Sequence, residues 1–278
     1  MTVPTETLAG LATDTLTLEA RPAGVVVLRI ERPERKGALR YQDLDALDAI
    51  LDGLATEESV RALVLAGTPG AFCAGIDLSD LESRSPEDRS RSENTVMSLD
   101  RWRFLAFPKP VVAAVDGPAV GMGVEISCQA DLRIASARAL FAWNFGDRGL
   151  VPDMGVSPLL LPTIVGLPTA LDLQLSGRRV SGEEAEALGY VSTYVGDADP
   201  VDTAVEAASR LSAASPSAAS RTKALTYAAL LDPAGHLARH DAALRECLAS
   251  DDHAEGVRAF LEKRTPAFRA PAGAEEAR

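Results

Sequence analysis

Twice along this chain a short apolar run ends in a glycine-bearing turn that opens onto a helical stretch. VRALVLAG at 60–67 leads into GTPGAFCAGIDL at 67–78, and PVVAAVDG at 110–117 leads into DGPAVGMGVEI at 116–126. Apolar runs of this length, bounded by turn residues, read as strands buried on both faces, the kind that parallel sheets use. With LRIAS at 132–136 as a further strand, the alternation predicts an α/β core with crossover connections.

The flanking sequence fits that core. Residues 14–20 and 24–31 read as strands joined at Pro22, Ala23 and Gly24, and 31–40 is a charged loop. Leu44, Leu47, Ile50, Leu51 and Leu54 recur at three and four, which predicts an amphipathic helix over 42–56. Ser85-Pro86-Glu87-Asp88 predicts a helix start, and Pro108 a stop. From residue 200 the pattern changes to Ala-rich helical stretches with breaks at Pro216 and Pro233. A mixed core over 1–200 is therefore expected to give way to a helical region over 201–278, loose at its end.

Composition bounds the function. With 46% hydrophobic and 24% charged residues over 278 positions, the chain is globular and long enough to bury a sizeable core. A net charge of −12 excludes a general nucleic-acid surface, although a few local Arg or Lys residues suffice for an anionic ligand. Cys73, Cys128 and Cys247 form no CxxC pair, and His236, His240 and His253 lie near the C-terminus without ligand spacing, so no metal site is expected. The N-terminal stretch lacks a basic region and a long apolar run, and no 18-residue apolar segment exists. A cytoplasmic protein with no membrane partner is the expectation.

Gly70 and Gly75 let the first turn approach a ligand closely, and Asp77 is placed to cap the helix after it. Gly121 and Gly123 do the same at a helix N-terminus, where unpaired N–H groups favour negative charge. A dinucleotide fingerprint fails here, because its third glycine falls at Ile126. Cys73 reads as a small buried side chain. Glu125, between Val124 and Ile126, is either exposed by helix geometry or a buried carboxylate with a task. Together the two turns offer main-chain donors from separate loops, as an oxyanion hole requires.

These turns belong to a longer series: ERPERKGAL at 31–39, AFCAGIDL at 71–78, KPVVAAVDGPAVGMGVEI at 109–126, ADLRIASARALF at 130–141, GLVPDMGVSPLLLPTIVG at 149–166, LSGRRVSGEEAEALGYV at 175–191 and EGVRAFLEKRTPAF at 255–268. In this order they resemble the enoyl-CoA hydratase/isomerase (crotonase) superfamily, from about residue 12 to 269. The resemblance implies a spiral of repeated ββα units over 1–200 and a helical C-terminal region, 201–278, that packs subunits into a homotrimer or a dimer of trimers. It implies an acyl-CoA thioester as substrate and no cofactor beyond the coenzyme A that the substrate carries.

Position by position, the resemblance assigns the thioester carbonyl to the main-chain N–H groups of Ile76 and Met122; Met122 stands where glycine is common, which leaves the N–H in place. Lys36, Ala38 and Leu39 match the loop that contacts CoA, with Gly37 in place of the usual Asn. Phe260 and Lys263, three apart and so on one helical face, match C-terminal positions that approach CoA. Glu125 matches the first of the two glutamates of a hydratase, whereas the second position is Phe145, whose ring cannot move a proton. Asp153 matches an acid/base of several isomerases in the superfamily, and its apolar neighbours Leu150, Val151, Pro152 and Met154 predict a raised pKa. Its bland alternative is a cap for a helix starting near Val156. The expectation leans to double-bond isomerisation with Asp153 as acid/base. Hydration by Glu125 and Asp153 is one alternative, and a catalytically silent acyl-CoA-binding homologue is another.

Overall fold

The apolar runs do lie side by side. The computed structural model describes residues 3–83, 102–148, 150–231, 242, 244–246 and 250–268. Six strands form the main sheet in the order β1 (Leu16–Arg21), β2 (Val25–Ile30), β3 (Ala62–Gly67), β4 (Val111–Val115), β6 (Leu132–Ala135) and β9 (Thr193–Tyr194). β1 and β2 form an antiparallel pair, with Leu16 opposite Ile30, through a turn in which Ala23 and Gly24 take φ of 61° and 73°. Every other neighbour in this sheet is parallel, with Val27 opposite Val64, Leu65 opposite Ala113 and Ala114 opposite Ile134. A second sheet holds β5 (Pro118–Val120), β7 (Leu140–Ala142) and β8 (Val180–Ser181). Consecutive strands β4 and β5, and again β6 and β7, enter different sheets, so the chain winds between the two as a ββα spiral.

The helices are α1 (Thr5–Leu11), α2 (Tyr41–Thr56), α3 (Leu78–Ser83), α4 (Arg103–Ala106), α5 (Met122–Cys128), α6 (Ser157–Val165), α7 (Leu167–Ser176), α8 (Gly182–Ala187), α9 (Pro200–Leu211), α10 (Pro216–Leu231) and α11 (Asp251–Glu262). Alternation along the strands explains why β3 and β4 are apolar throughout and β2 at every position but Arg29. Val26, Leu28, Leu63, Leu65, Val111 and Ala113 face one core with Leu47, Ile50, Leu51 and Leu54 of α2. Val25, Val27, Ala62, Val64, Val112 and Ala114 face another with Val201, Ala204, Ala207 and Ala208 of α9. Both faces are covered, and the alanines let α9 lie close to the sheet. The packed core therefore continues past residue 200.

The break expected at Pro216 falls between α9, which ends at Leu211, and α10, which this proline opens, a position where its missing N–H goes unnoticed. Lys223 of α10 donates to Asp131 (2.9 Å) and to the carbonyls of Phe104 (3.0 Å) and Lys109 (3.1 Å), and the Tyr227 hydroxyl donates to Asp131 (2.9 Å). The same carboxylate accepts from Val111 N–H at 2.7 Å, so α10 is fastened to the start of β4. Of the helix expected from Ser85 to Pro108, the described part is α4, which ends at Ala106 ahead of that proline; residues 84–101, Pro233, Cys247 and residues 269–278 lie outside the described residues. Among the described residues, no helix is long and apolar enough to cross a membrane.

Candidate active site

The first glycine-bearing turn is wedged between two neighbours. The N–H groups of Phe72 and Cys73 donate to Pro118 O (3.2 and 2.9 Å), and Val120 N–H donates to Cys73 O (3.0 Å), so this stretch extends β5. On its other side Leu39 N–H donates to Gly75 O (2.8 Å) and Asp77 N–H to Leu39 O (2.9 Å). Gly75 has φ of 98°, and a Cβ there would lie 3.1 Å from Val120 O and 3.5 Å from Met122 N. The peptide of Ile76 thus abuts the first turn of α5. Among the described residues, the Ile76 and Met122 N–H groups have no backbone acceptor. Both assigned donors are available, and they come from neighbouring turns.

Glu125 is buried completely, as is the rest of α5 from Gly123 to Cys128, which settles the choice between an exposed and a buried carboxylate. Its Oε2 accepts from Val156 N–H at 2.9 Å and its Oε1 from Ser157 N–H at 3.2 Å. Burial pushes the carboxyl up to about 7; the bonds from Ser157 and Val156 pull it back, and the charge of Asp153 adds to the rise. The first amides of α6 therefore donate to Glu125, so the cap that the sequence offered to Asp153 comes from another helix. Asp153 sits half-buried in a turn closed by Gly155 N–H to Pro152 O (3.2 Å). Trp102 Nε1–H donates to the Met154 carbonyl (2.9 Å) and Gln129 Nε2–H to its sulfur (3.6 Å), holding that turn.

The other candidates divide. Phe145 is buried at 6% exposure, an apolar side chain at the position that the resemblance gives to the second glutamate. Burial pushes the Cys73 thiol up to about 12, with Asp153 contributing, so it is a buried thiol and not a nucleophile. Lys36 is exposed with φ of 51°, Ala38 and Leu39 are buried, and Ala74 N–H donates to Lys36 O (3.0 Å), so this loop lies against the turn that bears Ile76. Gly37 is required there, because a Cβ would lie 2.6 Å from Phe72 O. Lys263 departs from expectation. Helix α11 ends at Glu262 and Lys263 takes φ of 54°, so Lys263 lies past the helix end. The Phe260 side chain lies outside the described residues. Sequence reasoning missed Arg32, Trp102 and Gln129 as neighbours of the site. Nothing local in the sequence marks them.

The titration of Glu125 has a measurable consequence. A carboxyl with a higher pKa folded than unfolded takes up a proton on folding, so its contribution is full below about 4.5 and is lost as pH rises to about 7. The loss amounts to roughly 3 kcal/mol at most. Urea unfolding between pH 4.5 and 8 is expected to show this decline, and Glu125→Gln to remove it. Parallel curves for the two proteins contradict it.

The spiral superposes on solved crotonase-fold enzymes. An enoyl-CoA hydratase from Bacillus anthracis matches with a TM-score of 0.85 at 27% identity, covering 93% of this chain and 100% of that one. The chain belongs to the enoyl-CoA hydratase/isomerase family, whose sequence model matches residues 20–271. A 1,2-epoxyphenylacetyl-CoA isomerase of Escherichia coli K12 is 33% identical over 88% of this chain and 95% of its own length. A peroxisomal Delta(3,5)-Delta(2,4)-dienoyl-CoA isomerase of Arabidopsis thaliana is 32% identical over 88% and 93%. The protein is an enzyme of acyl-CoA chemistry.

Proposed function

We propose that this enzyme shifts a double bond in an acyl-CoA thioester. The carbonyl docks against the N–H groups of Ile76 and Met122. The Asp153 carboxylate takes the proton from C2 of a 3-enoyl-CoA, and the electron pair moves onto the thioester oxygen, where the two donors stabilise it. Losing one such donor costs about 3–4 kcal/mol. Protonated Asp153 then delivers the proton to C4 as the enolate collapses, leaving a 2-enoyl-CoA and the starting carboxylate. Glu125, with a pKa near the working pH, holds water or acts as second acid/base. Lys36, Ala38, Leu39, Phe260 and Lys263 are the proposed contacts for CoA.

One observation carries this reading: Asp153 shares its surroundings with buried Glu125, while a phenyl ring fills the other carboxylate position. Separate incubations test it. A 3-enoyl-CoA is expected to gain conjugated thioester absorbance, and a 2-enoyl-CoA to keep it, with EDTA changing neither. Loss of absorbance from the 2-enoyl substrate alone makes the enzyme a hydratase working through Glu125 and Asp153. Binding without change in either makes it silent. A homotrimer or dimer of trimers is part of the same proposal and is read by light scattering. It is supported by Leu167, Leu171 and Leu175, a leucine at every fourth position of α7, exposed by 59%, 46% and 80%.

A further inference from the structure

Arg32 and Asp77 form an ion pair of 2.9 Å with side chains only 10% and 7% exposed. The guanidinium reaches both ways, because Arg32 Nη1 also donates to the Ala38 carbonyl at 2.5 Å. Asp77 Oδ1 accepts from Ser79 N–H (3.1 Å) and from the Ser79 hydroxyl (2.5 Å), so both carboxylate oxygens are occupied. The Ser79 hydroxyl, with Arg32 behind it, keeps the Asp77 carboxyl at about 2. Capping α3 needs only the Ser79 bond. It does not need a buried arginine, and a buried ion pair is seldom more stabilising than apolar packing of the same volume. What the pair does is geometric. Ile76 is flanked by two bonds to Leu39, and the residue after it is clamped by a cation that also grips the Lys36 loop.

We propose that Arg32 and Asp77 are positioning residues: their ion pair aims the Ile76 N–H and ties it to the loop bearing Lys36, without touching a substrate atom. This rests on the reading of Ile76 and Met122 as the thioester's donors. It goes beyond that reading in naming what holds one donor in place. It also predicts that carbonyl polarisation depends on a side chain remote from the reacting carbons.

The test is infrared spectroscopy of a saturated acyl-CoA, carbon-13 labelled at the thioester carbonyl and bound to each protein, alongside steady-state kinetics. In the wild type the carbonyl band is expected to shift to lower frequency on binding. Asp77→Asn keeps the shape and a Ser79 contact but loses the ion pair; much of the shift should disappear. Its kcat is expected to fall about 10- to 100-fold with KM little changed, the signature of a misplaced donor and not of weaker binding. Arg32→Lys keeps the charge but cannot grip Asp77 and Ala38 together, and should move the band and kcat the same way by less. Should Asp77→Asn fail to fold, Arg32→Lys decides. Glu34→Gln, at the exposed side of the same guanidinium (3.8 Å), serves as a control with no expected change. An unaltered band in both variants overturns the positioning role and leaves the proposed reaction standing. A rise in KM alone also overturns it. No shift in the wild type removes the donor reading, and the positioning role falls with it.

Discussion

Asp153→Asn is expected to lower turnover of a 3-enoyl-CoA by about 100- to 10,000-fold, with acyl-CoA affinity changed little. Asparagine keeps the size and much of the hydrogen bonding of the side chain but carries no proton between carbons. The turn itself should survive, because Trp102 and Gln129 hold Met154 and not Asp153. A second readout separates chemistry from damage. Asp153 pushes the Glu125 carboxyl upward, so removing its charge should lower the Glu125 titration from about 7. Fast turnover combined with that downward movement would mean that Asp153 faces Glu125 but moves no proton, and the reaction would then rest on Glu125 alone. Glu125→Gln should harm hydration more than double-bond migration, because only hydration needs an activated water.

Gly123→Ala is expected to cost both folding and chemistry. A methyl group there would lie 1.9 Å from Cys73 O and 2.9 Å from Cys73 Cβ, so the first turn of α5 and the donor turn must part. Overpacking of this kind destabilises by about 1–3 kcal/mol. The separation also carries the Met122 N–H away from Ile76, and loss of one donor lowers kcat by about 100- to 1,000-fold. Gly10→Ala makes the comparison, since Gly10 lies in α1 with nothing within 4 Å of a Cβ, and its turnover should not change. Urea midpoints and kcat measured on both variants check the contrast. Equal midpoints and equal rates would mean that the two turns tolerate separation.

How much of this was legible depends on whether the signal was local. β3 and β4 announced themselves because burial on both faces leaves no polar position in them, β2 likewise apart from Arg29, and α2 because its apolar face repeats at the helical period. The close approach of two turns was legible as glycines at 75, 121 and 123. What crosses between elements was not. The amides of α6 turn to Glu125 instead of to a carboxylate three residues upstream, a choice made by packing α5 against α6. Arg32 looks like one more charge in ERPERK, and only the fold removes it from water. Helix α11 stops short of Lys263 for a local reason, a left-handed residue at 263 that no glycine marks.

In the proposed reaction the carbonyl meets peptide amides, those of Ile76 and Met122, while the proton meets side chains, those at 125 and 153, with a phenyl ring at 145. Mutation acts unequally on the two halves. Apart from proline, no codon change deletes a peptide N–H, so a side chain at 122 leaves the amide in place. Each carboxylate, by contrast, is one codon away from disappearing or arriving. A lineage carrying this scaffold inherits its anion-holding half nearly intact and can exchange its proton-handling half a residue at a time. New reactions on the same thioester then arise by substitution at a few inward positions, with no intermediate in which the carbonyl is left unheld.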